Sequence, residues 1–232
     1  MQVWTISLLF SGTIYFLLAG FILGRFRNNP GAKSFVILMA SVGIYSVCYY
    51  FQIHSPNLAK LLFWLKIEFL CMAPLPALWL IYVIQFTKRK GWLSTYKIAL
   101  LLVIPLITCI MVYTNDYHHF MFRSLSAEVD NGLNMLGFVP GLWFWVDAAY
   151  LNLGVLIGNL ILLQTWWNTS APYDKQYLAM FVGSLAPWLG LVIYVSGHSP
   201  LNLDLSPFGM IVTGLVYTYG LIQYRIFQDV TL

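Results

Sequence analysis

Seven long apolar stretches follow one another along the chain, at about residues 3–24, 34–53, 59–86, 98–115, 141–166, 176–197 and 207–226. Each can cross a hydrocarbon core of about 30 Å, which takes roughly 20 helical residues. The runs are apolar throughout, whereas barrel strands would read as stretches of about ten residues with alternating polarity. The pattern therefore predicts an all-α, integral membrane seven-helix bundle, with residues 1–232 as a single domain. Prolines mark where its helices should bend. Pro74 and Pro76 fall inside the third span and leave the carbonyls of Leu70 and Met72 without their usual donors, and Pro187 stands beside Trp188 in the sixth. In the fifth span Gly154 and Gly158 make a small-xxx-small pair that permits a close helix crossing. The seventh opens on Asp204-Leu205-Ser206-Pro207, where Ser206 suits a cap and Pro207 a first helical turn.

Composition agrees with the pattern. With 60% hydrophobic and 9% charged residues and a mean hydropathy of +0.76, too little polar surface exists for a water-soluble domain. No basic region precedes the first run, which reads as a true span and not as a cleaved signal. Of the twelve Lys and Arg residues, nine (Arg25, Arg27, Lys33, Lys88, Arg89, Lys90, Lys97, Lys175, Arg225) fall in alternate connections, on one side. The other side keeps Lys60 and Arg123, with Lys66 inside the third span. The positive-inside rule then puts the N-terminus outside and the C-terminus in the cytoplasm, in a multi-pass protein of the inner (plasma) membrane. No basic stretch exceeds Lys88-Arg89-Lys90, so nucleic acid is not an expected partner. Cys48, Cys71 and Cys109 lie within spans and read as small core residues.

Charges inside the membrane are costly and point to function. Here they gather toward the outer face: Lys66 and Glu68 early in the third span, Asp147 early in the fifth, and Asp204 at the mouth of the seventh. Glu68 shares a helix face with Trp64, Cys71 and Met72, while Lys66 lies about 200° around the helix and snorkels to the interface. Asp147 shares a face with Tyr150 and Leu151. Trp143 and Trp145 open the fifth span at interface depth, and Trp188 sits at the sixth-span kink. The expected ligand-binding set is Trp64, Glu68, Met72, Trp143, Asp147, Tyr150, Trp188 and Asp204, forming a polar funnel open to the outside. The outer loop at about 116–140 mixes charged and apolar residues and reads as a cap over the bundle mouth. Its NMLGFVPG segment suits either a short hairpin or an interfacial helix. His118 and His119 are weak metal candidates without ligand spacing, and no metal or cofactor is expected.

The chain also resembles a family, the N-terminal seven-transmembrane sensor region of bacterial histidine kinases. The resemblance is carried by KIEFLCMAPLPALWLIYVIQFT in span 3, IPLITCIMVYTNDYHHFMF leaving span 4, GLWFWVDAAY opening span 5 and DLSPFGMIVTGLVYTYGLIQYRIF in span 7. It implies a two-component sensor in which Glu68, the aromatic group Trp143, Trp145 and Tyr150, and the pair Asp204 and Pro207 matter. It also implies cytoplasmic signalling modules (PAS, histidine kinase or diguanylate cyclase) C-terminal to the bundle, so that this chain is a sensor domain and not itself an enzyme. Relatives often carry His in the span 5 motif where Asp147 stands.

Three classes compete on the residues alone. A receptor binds a small extracellular molecule among spans 3, 5, 6 and 7 and moves span 7; interior carboxylates with aromatic walls suit a cationic or hydrogen-bond-donating, partly apolar ligand. A small-solute or proton-coupled transporter is the alternative, but the inner half holds little beyond Gln85, Asn159, Gln164 and Gln223 to form an exit path. An enzyme lacks a nucleophile–base pair, and a retinal protein lacks a lysine in span 7. Expected partners are the ligand, membrane lipids and the C-terminal signalling domains. Gly12, Gly20 and Gly24, with Gly154 and Gly158, suit packing either within one bundle or in a homodimer.

Overall fold

The computed structural model describes residues 2–29, 31–130, 133–169, 174–198 and 205–223. The helices are α1 (Gln2–Phe26), α2 (Ala32–Ile53), α3 (Leu58–Met72), α4 (Leu75–Phe86), α5 (Thr95–Tyr113), the single turn α6 (Asn115–His118), α7 (Leu142–Trp167), α8 (Asp174–Val195) and α9 (Ser206–Gln223). Between α6 and α7 the chain forms an antiparallel hairpin of β1 (Phe122–Asp130) and β2 (Leu133–Pro140), with Leu125 opposite Phe138 and Ala127 opposite Leu136. The 116–140 loop thus resolves to a hairpin, one strand pair in an otherwise helical protein.

Six helical stretches are long and apolar enough to cross a membrane, counting Leu58–Phe86 as one; α9 supplies a shorter seventh, Phe208–Gly220. Many of these helices carry apolar residues on their outer faces as well, such as Phe10, Leu17, Phe21 and Leu160. That is how helices look when lipid surrounds them. The α3–α4 stretch is central, with 61% of its spanning window buried, whereas α5 is peripheral at 17%. α1 packs on α2 and α9, α8 on α9 and α7, and α4 lies against α2, α5 and α7.

The core is built on tyrosines. Tyr15, Tyr45, Tyr82 and Tyr217 are fully buried around Phe35, whose ring lies 4.9 Å from that of Tyr82 and 5.8 Å from that of Tyr217. A buried phenol needs an acceptor, and a helix carbonyl keeps a second lone pair beside its own helical bond, so a phenol that reaches across to one also ties two helices together. Tyr15 donates from α1 to the Met210 carbonyl of α9 at 2.5 Å, and Tyr217 from α9 to the Met180 carbonyl of α8 at 3.4 Å. Thr213 ties α9 to the Gly183 carbonyl of α8.

The expected proline break is present. α3 ends at Met72, Ala73 caps it through the Phe69 carbonyl, and α4 restarts with Pro74 as its N-cap and Pro76 in its first turn. The glycine pair works as its spacing predicted. A Cβ at Gly154 would sit 2.8 Å from Pro76 Cβ, and one at Gly158 would sit 2.4 Å from Trp79 Nε1, so α7 lies directly on α4 only because both positions lack side chains. Ser34 of α2 donates to Gln85 of α4, and Arg89 donates to Gln164 of α7. These two bonds bring the start of α2, beside Lys33, and the ends of α4 and α7 to one end of the bundle, away from the hairpin.

Candidate functional site

At the hairpin end, two carboxylates from different helices reach the same space. Glu68 stands one turn before the α3 break and is 4% exposed; Asp147 stands in the second turn of α7 and is 7% exposed. Both line a cavity of about 110 Å³, with Tyr45, Tyr49 and Gln52 of α2 on one wall and Phe122, Met135, Leu136 and Phe138 of the hairpin over it.

Local chemistry holds the lid in place. Asn115 is buried; its side-chain oxygen accepts from the N–H groups of Met121 and Phe122, and its amide donates to the Phe122 carbonyl. One side chain thereby satisfies three backbone groups where the chain turns into β1. At the other end of the hairpin, Gly141 donates to the Met121 carbonyl and Trp143 to the Phe120 carbonyl. A Cβ on Gly141 would fall 2.1 Å from the Phe120 oxygen, so this crossing requires glycine. Beneath, Phe122, Phe138 and Phe144 pack edge-on or tilted, with ring centroids 5.4 Å apart for Phe122–Phe138 and for Phe138–Phe144.

A short relay orients Asp147. The Trp143 indole N–H donates to Thr108 Oγ1 at 3.0 Å, and the Thr108 hydroxyl donates to Asp147 Oδ1 at 2.9 Å. Among the described residues Thr108 is the one hydrogen-bond donor to Asp147, and Asp147 forms no ion pair. Lys66 turns away, to Asp116 Oδ2 at 3.8 Å and over the Tyr113 ring, near the end of α5. This accords with an amine snorkelling from the bundle.

A second cavity of about 130 Å³ continues from the first, farther from the hairpin. Tyr45, Met72, Leu151 and Leu191 line both. Its other walls include Tyr15, Pro76, Trp79, Val155, Pro187, Trp188, Met210 and Tyr217. Trp188 is held there by donating to Asn152 Oδ1 at 3.0 Å.

Of the residues expected from sequence, Glu68, Met72 and Asp147 line the upper cavity and Met72 and Trp188 the lower. Trp143 reaches the site through Thr108. Trp64 lines neither cavity and stacks on Phe51 at 4.9 Å; Tyr150 points to α5, where its hydroxyl donates to the Leu101 carbonyl at 2.5 Å. Asp204, like Arg225 at the far end of that span, lies outside the described residues. On the α2 wall, Gln52 belongs to the polar funnel expected from the sequence, whereas Tyr45 and Tyr49 do not. Their signal was there: Tyr45, Tyr49 and Gln52 follow at i, i+4 and i+7, a polar-tipped stripe on an apolar helix. His118 is occupied locally, because the Phe120 N–H donates to its Nδ1 and leaves Nε2 to donate to Thr114. Among the described residues no group of three or more His, Cys, Asp or Glu is arranged to hold a metal ion.

Seven apolar helices enclosing a lidded cavity, with carboxylates buried in it, define a helical multi-pass membrane protein built around an internal site. The chain belongs to the family described as the N-terminal 7TM region of histidine kinase, which it matches over residues 7–230. A search of curated proteins finds no match to it. Membership supports a sensor-domain role.

Proposed function

We propose that the chain is the signal-sensing region of a membrane histidine kinase or a related receptor, and that it binds a small cationic molecule in the cavity beneath the hairpin. The convergence of Glu68 and Asp147 on one lidded cavity carries this reading. Two carboxylates that line one buried cavity repel each other at low dielectric, and a positively charged occupant relieves that repulsion. Aromatic walls favour the same charge.

On the distribution of Lys and Arg, the hairpin end faces outward and the basic turns face the cytoplasm. The ligand then enters from outside. α9 supports the relay: its Met210, Thr213 and Tyr217 face the lower cavity, and Tyr15, Thr213 and Tyr217 bond it to α1 and α8. A ligand with different affinity for two arrangements of these contacts would shift α9, and with it a cytoplasmic signalling module beyond.

The test is a thermal-shift screen of the detergent-purified protein against amines and other metabolites, followed by titration of any hit. Glu68→Gln and Asp147→Asn are expected to weaken a true ligand by more than tenfold. A ligand bound equally well by both variants and by the native protein would remove the carboxylates from the site.

A further inference from the structure

The two cavities are stacked in register. Glu68, Met72 and Pro76 are successive i+4 steps along α3 and α4, and Asp147, Leu151 and Val155 are the same steps along α7. In each series the first residue lines the upper cavity, the second lines both and the third lines the lower. Contact between Gly154 and Pro76 holds the two series level. At 1.5 Å rise per residue, the path from the carboxylates to Pro76 and Val155 is roughly 12 Å long.

Chemistry changes along that path. The upper compartment holds both carboxylates. In the lower one, Tyr15, Thr213, Ser184 and Trp188 direct their polar atoms to protein acceptors (Met210, Gly183, Asn159 and Asn152), so rings and aliphatic groups make up most of the wall. An apolar cavity of about 150 Å³ stays dry and accepts benzene, so about 130 Å³ accommodates an apolar group of about six carbons. Between the compartments stands Met72, an unbranched side chain that yields easily to a neighbour.

We infer that the site takes an amphiphilic amine: one ammonium group between Glu68 and Asp147, and an unbranched apolar tail of about nine carbons, roughly three of them alongside Met72 and about six in the lower compartment. This rests on the ligand pocket proposed above and specifies its occupant. Amino acids are excluded, because their own carboxylate would enter a cavity that already holds two. Small amines bind weakly, because they leave the lower compartment empty.

The experiment is a calorimetric titration of the detergent-purified chain with unbranched primary amines from ethylamine to dodecylamine. Affinity should rise about fourfold per methylene and level off near nonylamine, as each added group leaves water until the roughly 12 Å path is filled. Val155→Phe, and separately Leu75→Phe, fill the lower compartment. In either variant the rise should stop at about butylamine, while ethylamine binds as before. The unbranched alcohols should bind at least tenfold more weakly than the matching amines.

Three results would overturn the inference. If affinity is flat with chain length yet is lost in Glu68→Gln, the upper pocket stands and the two-compartment site does not. If no amine of any length binds, the carboxylate pocket itself fails as a cation site. If the rise with length persists unchanged in both filled variants, the tails are partitioning into detergent and not into the protein.

Discussion

Thr108 does the most with the fewest atoms. It accepts from Trp143 and donates to Asp147, so it joins α5 to α7 and orients the one carboxylate oxygen it touches. Valine has the same shape without the hydroxyl. Thr108→Val would leave an indole N–H and a carboxylate oxygen without partners in a buried place. Interhelical hydrogen bonds within membranes average about 0.6 kcal/mol, but stranding a buried polar group costs more, about 1–3 kcal/mol. The expected loss is therefore about 1–2 kcal/mol, read as a lower midpoint of thermal unfolding in detergent, with Thr108→Ser close to the native protein. This relay was not legible in the sequence. Thr108 is one of several hydroxyl residues in apolar spans, and only the packing of α5 on α7 singles it out. Glu68 and Asp147 were legible, because a charge in an apolar run is conspicuous wherever it lies. Helix phase points Trp64 toward the site, and phase with the family resemblance points Tyr150 there, but neither tells which neighbour a face meets: one meets Phe51 and the other the Leu101 carbonyl.

For the elements, the glycines separate into working and idle positions. Gly154 and Gly158 are where α7 touches α4, and the atoms they meet belong to Pro76, a ring fixed in the α4 backbone, and to the buried Trp79. Neither partner can step aside, so Gly154→Ala and Gly158→Ala should each cost about 1–3 kcal/mol in thermal stability, the usual penalty of overpacking. Gly20 and Gly24 have nothing within 4 Å of an added Cβ. Gly20→Ala should therefore leave stability unchanged or raise it by up to about 1 kcal/mol, through helix propensity alone. A marked loss on Gly20→Ala would mean that another surface covers this face of α1. The spans and the proline break could be read directly from the chain, since hydropathy and missing donors are local properties. The hairpin could not: NMLGFVPG alternates too little to choose a period, and the turn into β1 is held by Asn115, nineteen residues upstream of that segment's start.

Taken whole, the molecule is a bundle whose buried core lies around α4 and whose cavity lies under a lid held mainly at one corner. Asn115→Ala removes three hydrogen bonds at the point where the lid begins. Hydrogen exchange of the amides in β1 and β2 should quicken at least tenfold, while the amides of α4, packed in the core, keep their protection. Equal exchange in the variant and the native protein would show that the aromatic cluster of Phe122, Phe138 and Phe144 suffices to hold the lid.

The interruption at Ala73–Pro74 divides the third span into two bodies of different standing. α4 is wedged on nearly all sides, whereas α3 carries exposed faces at Phe63 and Leu70 and ends where backbone donors are missing. Helices resist bending because their hydrogen-bonded ladder is continuous, and here that ladder is cut. Bending at that joint would move the upper body as a short lever while the lower one stays seated, and Glu68 would then shift without loosening the tyrosine core. A sensor region so jointed would separate the part that yields from the part that must keep its shape.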